Sequence, residues 1–85
     1  MVEGEDDRLE SARMLAEGGS RAAVEAFRSI AVDDSVGEDV RLEAARRLAE
    51  VDERSAAEAF RSIAVDGSVG EDVRLEAARG LAEVS

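Results

Sequence analysis

The chain has 85 residues, a net charge of −10, and no cysteine, histidine, lysine, proline, tryptophan or tyrosine. The acidic balance opposes binding to nucleic-acid phosphates and to anionic membrane surfaces. The missing cysteine and histidine exclude a disulfide framework and remove the commonest bases, nucleophiles and transition-metal ligands.

Asparagine, glutamine and threonine are also absent, and every basic residue is arginine. So narrow an alphabet fits a GC-rich genome or a reduced design alphabet. No apolar run reaches 18 residues, and no basic segment precedes an apolar one, so neither a membrane span nor a signal peptide is expected. A soluble, cytoplasmic chain is the default expectation, unless the sequence is synthetic.

An internal repeat dominates the pattern. Arg8-Leu9-Glu10 returns as Arg41-Leu42-Glu43 and as Arg74-Leu75-Glu76, a period of 33 residues. Of the 33 positions from 8 to 40, 25 are identical to those from 41 to 73. Identity at that level marks stacked repeats rather than chance periodicity. The expected organisation is one domain over 1–85: repeat 1 about 5–37, repeat 2 about 38–70, and a half repeat 71–85.

In chain order, Met1–Gly4 reads as a frayed leader. The spacing predicts α1 over about Asp6–Glu17, with an acidic first turn that suits the helix dipole. Asp7 stands where the second repeat has Val40, as expected of a terminal repeat without an outer neighbour. Gly18-Gly19-Ser20 breaks the helix, and Ser20 can cap α2 over about Arg21–Val32. The joint of the second repeat reads Val51-Asp52-Glu53, with Asp52 as N-cap and Val51 free to pack.

Asp33–Glu38 and Asp66–Glu71 link the repeats. Each holds Ser-x-x-Glu, a capping-box pattern, which makes Ser35 and Ser68 the N-caps of α3 (about Val36–Val51) and α5 (about Val69–Val84). A rival reading puts the caps two residues later, at Gly37 and Gly70. Gly67 suits a left-handed residue closing α4, about Glu53–Val65; Asp34 fills that place less comfortably after α2. The α3 pattern is apolar around about two-thirds of its circumference, so it needs neighbours on more than one side. Arg21/Glu25, Arg54/Glu58, Arg46/Glu50 and Glu43/Arg47 are spaced as i,i+4 pairs, each worth a few tenths of a kcal/mol.

The stretches from Val40-Arg41-Leu42 through Ala44-Ala45-Arg46-Arg47-Leu48, and then Asp52-Glu53-Arg54 to Phe60, resemble HEAT-type repeats, in particular the short class found in bilin lyases and bacterial repeat sensors. The likeness covers nearly the whole chain. It departs in its longer inter-repeat loop, in Phe27 and Phe60 where leucine is usual, and in the missing proline. Tetratricopeptide repeats are the competing family: their period is 34 and Ala56…Phe60…Ile63 fits their second helix loosely, but their Trp, Tyr and Pro signatures are absent. The resemblance implies an all-α fold: an αα-superhelix of five helices in A-B-A-B-A order, wound as a short right-handed solenoid.

Arg41 and its equivalents Arg8 and Arg74 fall inside the apolar arc of their helices. A partly buried arginine needs a partner, and the expected role is an inter-repeat staple to a loop carboxylate such as Asp33, Asp66 or Asp72. In similar repeats the position supports a polar ladder between repeats.

No catalytic, cofactor-binding or metal-ligating residue is assigned. The carboxylate pairs Asp6/Asp7, Asp33/Asp34, Glu38/Asp39 and Glu71/Asp72 sit at helix starts and loops, where capping explains them. Acid–base catalysis would need two carboxylates in distinct environments within a cleft. The Asp33–Asp39 loop lacks calcium-loop spacing, and no Gly-Lys-Ser/Thr supports a phosphate loop.

The expected function is therefore that of a non-catalytic structural repeat module, either a designed or engineered array or an excerpt of one. A protein-interaction fragment of a larger bacterial repeat scaffold or sensor is the alternative. Its surface would be the outer stripe Arg21, Glu25, Arg28, Arg54, Glu58, Arg61 and Ser62. A third reading is homo-oligomerisation through the last helix, by way of Val73, Ala77, Leu81 and Val84.

Overall fold

The structure is a computed structural model that describes residues 4–17 and 21–84, without the side chains of residues 5, 6, 12 and 15–17. Five helices follow one another: α1 Glu5–Glu17, α2 Arg21–Val32, α3 Glu38–Val51, α4 Glu53–Ala64 and α5 Glu71–Val84. Among the described residues there is no strand. Residues 1–3 of the expected leader and the Gly18-Gly19-Ser20 joint, with Ser20 as a cap, lie outside the described residues.

The helices form an α-solenoid of two layers. The first holds α1, α3 and α5, and the second α2 and α4. The helix α3 touches all four others, whereas α1 and α5 do not meet among the described residues. The smallest extent of the Cα trace is 13 Å. That matches two helix axes about 8–10 Å apart plus a Cα radius of about 2.3 Å on each side.

Packing this close depends on alanine. Ala23, Ala44, Ala45, Ala56, Ala59 and Ala77 are completely buried, around Phe27, Leu48 and Ile63. Small side chains at the contacts let backbones approach, while the few large ones supply the apolar area, each worth about 1.5–3 kcal/mol when buried. At Gly80 there is no room for a side chain: an added Cβ would lie 2.5 Å from the Phe60 ring. Val51, expected to pack, is exposed at the α3–α4 corner.

Helix starts depart from the capping-box expectation. The helices α3 and α5 begin at Glu38 and Glu71, two residues later than Ser-x-x-Glu implies. Gly37 is the N-cap of α3 and offers no side-chain acceptor. Ser35 and Ser68 instead serve the turns before the helices. In each, the serine N–H donates to the preceding aspartate at 2.9 Å, Asp33 and Asp66 respectively. The Ser35 hydroxyl donates to Asp33 at 2.6 Å, and that of Ser68 to Asp66 at 2.7 Å. The reason is tertiary: Val36 and Val69, next in each loop, are buried in the core. Seating them holds the loop as an Asp-x-Ser turn.

Gly67 is likewise not left-handed, since its φ lies outside the positive range. Asp52 is the N-cap of α4: it accepts from the Arg54 N–H at 3.2 Å and from the Ser55 hydroxyl at 2.9 Å. Its own N–H donates to Leu48 at 2.8 Å and closes α3.

Candidate functional site

The polar groups that repeat along the chain converge on the boundaries between helix pairs. Arg41 is 2% exposed. Its Nε donates to the Ala31 carbonyl at 2.9 Å, and its Nη1 donates to Asp66 Oδ2, also at 2.9 Å. Ala31 lies in the last turn of α2, where helix carbonyls have no intrahelical donor. A guanidinium there satisfies one of them and faces the negative end of the α2 dipole. Of the three carboxylates open to Arg41 in the sequence, Asp66 is the partner.

Asp66 divides its oxygens between two tasks. Oδ1 takes both Ser68 donors, and Oδ2 takes Arg41. The Ser68 hydroxyl, then the Arg41 guanidinium and the Ser68 N–H, hold its carboxyl at about 2, below the ordinary 3.8. Asp33 shows the same arrangement more loosely, with its carboxyl lowered chiefly by Ser35 and less by Arg8. Arg8 Nη1 lies 3.3 Å from Asp33, and the Arg8 side chain is 41% exposed. Both arginine–aspartate pairs bridge 25 residues.

Arg74 breaks the series. Its Nε is buried and makes no hydrogen bond among the described residues.

A second connection was not anticipated. Glu38 Oε1 accepts the Gly70 N–H at 2.8 Å, so the start of one helix caps the start of the next in its layer. The signal for it was the recurrence of Gly-Glu at 37–38 and 70–71. A glycine N-cap has no side chain of its own to help the helix start.

The outer stripe of α2 and α4 is exposed at Arg21, Glu25, Arg28, Arg54, Glu58 and Arg61, and half-buried at Ser62. Its ion pairing differs from the i,i+4 expectation. Of the four expected pairs, only Glu43–Arg47 is joined, at 3.0 Å. Arg28 instead pairs with Glu58 at 3.3 Å, and Arg46 with Glu76 at 3.2 Å. Both run between neighbouring helices of one layer and span 30 residues, one period less about one helical turn. Parallel neighbours offer a partner at that offset.

The open face of α5 is not the one expected. Val73 and Ala77 are buried, and Leu81 and Val84 pack against the same core, because α5 lies on α4 along that strip. The open strip is Leu75, Ala78 and Ala82, all exposed. Leu42, one period before Leu75, is 8% exposed; Leu75 is 57% exposed. The residue and its local sequence are the same; the difference is that no helix among the described residues packs on α5 as α4 packs on α3. Val65, at the end of α4, is exposed as well.

Among the described residues, no group of acidic side chains is placed to hold a metal ion. No described helix is long and apolar enough to cross a membrane.

A family model described as HEAT repeats matches residues 3–84. No curated protein and no solved structure matches the chain. With nearly its whole length covered and two layers of stacked helix pairs, the chain belongs to the HEAT-repeat family.

Proposed function

We propose that the chain is a non-catalytic repeat module that works by surface contact, docking protein along the open edge of α5. The observation that carries this reading is the contrast between Leu42, at 8% exposure, and Leu75, at 57%. An exposed apolar strip beside charged neighbours marks a candidate contact surface. The repeated polar groups have structural work: Asp33 and Asp66 in turns, Asp52 as a cap, Arg8 on the loop that follows its own helix pair, and Arg41 both on the loop after its own pair and, through Ala31, on the preceding pair. The charged stripe of α2 and α4 lacks tryptophan, tyrosine and methionine, the rigid or adaptable anchors of strong interfaces, and ranks second as a surface.

Affinity capture with the parent chain, a Leu75→Glu variant and an Arg28→Glu/Arg61→Glu variant tests the assignment. Capture lost only with Leu75→Glu supports the α5 edge. Capture lost only with the arginine changes moves the surface to the α2/α4 stripe. No protein captured by the parent chain counts against docking altogether.

A further inference from the structure

We propose that Asp66-Gly67 is a site of spontaneous isoaspartate formation, held in check by the Arg41 clasp, and that the conversion breaks that clasp for good.

The first observation is the pair itself. Asp66-Gly67 is the single Asp-Gly pair of the sequence, which has no asparagine. The reaction joins the backbone nitrogen of the following residue to the aspartate Cγ. A side chain on that residue obstructs the approach, and glycine has none. In the matching turn Asp33 is followed by Asp34, which brings both a Cβ and a second negative charge.

The second observation is the state of the two reacting groups. The Gly67 N–H makes no hydrogen bond among the described residues, and open space surrounds the position of its absent Cβ. The Ser68 N–H bond to Asp66 Oδ1 closes a hydrogen-bonded ring that includes both Cγ and the Gly67 nitrogen. Nucleophile and electrophile thus share one small loop.

The third observation is the brake. Ring closure needs a protonated carboxyl, since hydroxide leaves far more easily as water, and a carboxyl free to turn its face to the nitrogen. Here Oδ1 takes both Ser68 donors, and Oδ2 takes Arg41 at 2.9 Å. These donors fix the plane of the group and keep it ionised, at about 2 against the ordinary 3.8. Local opening of the junction releases Arg41 and lifts the brake.

In the open form the Gly67 nitrogen attacks Cγ. The N–Cγ bond forms, and the N–H proton leaves with the carboxyl hydroxyl as water, giving a cyclic imide. Water then adds back. Cleavage of the nitrogen's bond to Cγ restores aspartate. Cleavage of its bond to the Asp66 α-carbonyl carbon leaves the chain running through Cγ. The product is an isomer, so no co-reactant beyond the returned water is needed. Its backbone is longer by one methylene, and its carboxylate sits directly on Cα. So short a carboxylate no longer spans Ser68 and Arg41, and Arg41, 2% exposed, loses its anion.

The test incubates the full chain at neutral pH, folded and in urea. Residue 66 is followed by peptide mapping and by methyl transfer from S-adenosylmethionine with an isoaspartyl methyltransferase. Isoaspartate is expected at Asp66 and not at Asp33, and roughly tenfold or more faster in the unfolded chain. Arg41→Met should speed it more than Leu48→Ala, which removes buried apolar bulk about two turns further along α3. Urea sets both variants to the same unfolded fraction. Gly67→Ala, for which there is room, should suppress the reaction. The isoaspartyl chain, once isolated, should melt as low as Arg41→Ala. Equal rates in the Arg41→Met and Leu48→Ala chains overturn protection by the clasp. No isoaspartate at Asp66 even in urea, or a rate that Gly67→Ala leaves unchanged, overturns the site. An isoaspartyl chain with the Tm of the parent overturns the consequence for the clasp.

Discussion

Replacing Arg41 by alanine removes two hydrogen bonds at once, to the Ala31 carbonyl and to Asp66 Oδ2. A buried acceptor left unpaired costs about 1–3 kcal/mol. Removing one partner of a fully buried ion pair costs about 3–5 kcal/mol. That upper figure needs a discount, because the Asp66 side chain keeps 21% of its surface in water and can rehydrate. The net loss should be about 2–3 kcal/mol. In a domain of this size each kcal/mol shifts the midpoint by about 4–8 °C, so Tm should fall by about 10–20 °C. Arg8→Ala is the internal control. Its 3.3 Å pair is exposed, and exposed pairs contribute about 0–1 kcal/mol. Thermal and urea melts followed by circular dichroism at 222 nm measure both variants. A double-mutant cycle with Asp66→Asn isolates the pair from the lost packing of the arginine stem. Equal losses for Arg41→Ala and Arg8→Ala, or an unchanged Tm for the former, would refute the argument.

Acid titration addresses Asp66. Its folded carboxyl sits at about 2, below the ordinary 3.8. The stability it contributes should be present above 3.8 and disappear as pH falls towards 2; Asp66→Asn should flatten that part of a stability-against-pH curve. Glu38→Ala should free the Gly70 N–H, costing about 1 kcal/mol; hydrogen exchange at Gly70 should quicken, and an unchanged rate there would reject the cross-helix cap. Gly80→Ala sets a helix-propensity gain of about 1 kcal/mol against the clash with Phe60, where overpacking costs about 1–3 kcal/mol. It should destabilise slightly in the parent chain and stabilise in a Phe60→Leu background, and the same sign in both backgrounds would remove Phe60 from the explanation. Leu42→Ala should cost about 2–5 kcal/mol, and Leu75→Ala under about 0.5 kcal/mol, both read from urea midpoints.

Where the sequence was clear, a pattern repeated within the reach of one helix. The five helices and the Asp52 cap follow from apolar spacing and from a side chain acting on its own backbone. Arg41 was legible as a residue needing a partner, and Asp66 as one of three candidates, because an arginine in an apolar arc is costly wherever the chain goes. Decisions made by neighbours in space were not legible. Ser-x-x-Glu describes a capping box and an Asp-x-Ser turn equally well, and the burial of Val36 and Val69 chooses the turn. The i,i+4 charges looked complete in themselves, yet parallel helices in one layer join Glu58 to Arg28 and Arg46 to Glu76. Two apolar strips run along α5; which one meets α4 depends on the direction in which the pairs stack, and no residue within α5 records that.

The two oxygens of Asp66 bear on how the stack comes apart. One carboxylate shapes the loop locally, and the same carboxylate clasps the preceding helix pair. Loop formation and stacking are thus a single event rather than two separable ones. In a linear chain of repeats, such sharing moves free energy out of the individual unit and into the junction between units. Raising the junction's share sharpens cooperativity: neighbours melt together, and half-unzipped intermediates become scarce. The second junction, where Asp66 holds the buried Arg41, should hold to this most strongly. The clasp of Asp33 on the exposed Arg8 should be the weaker of the two.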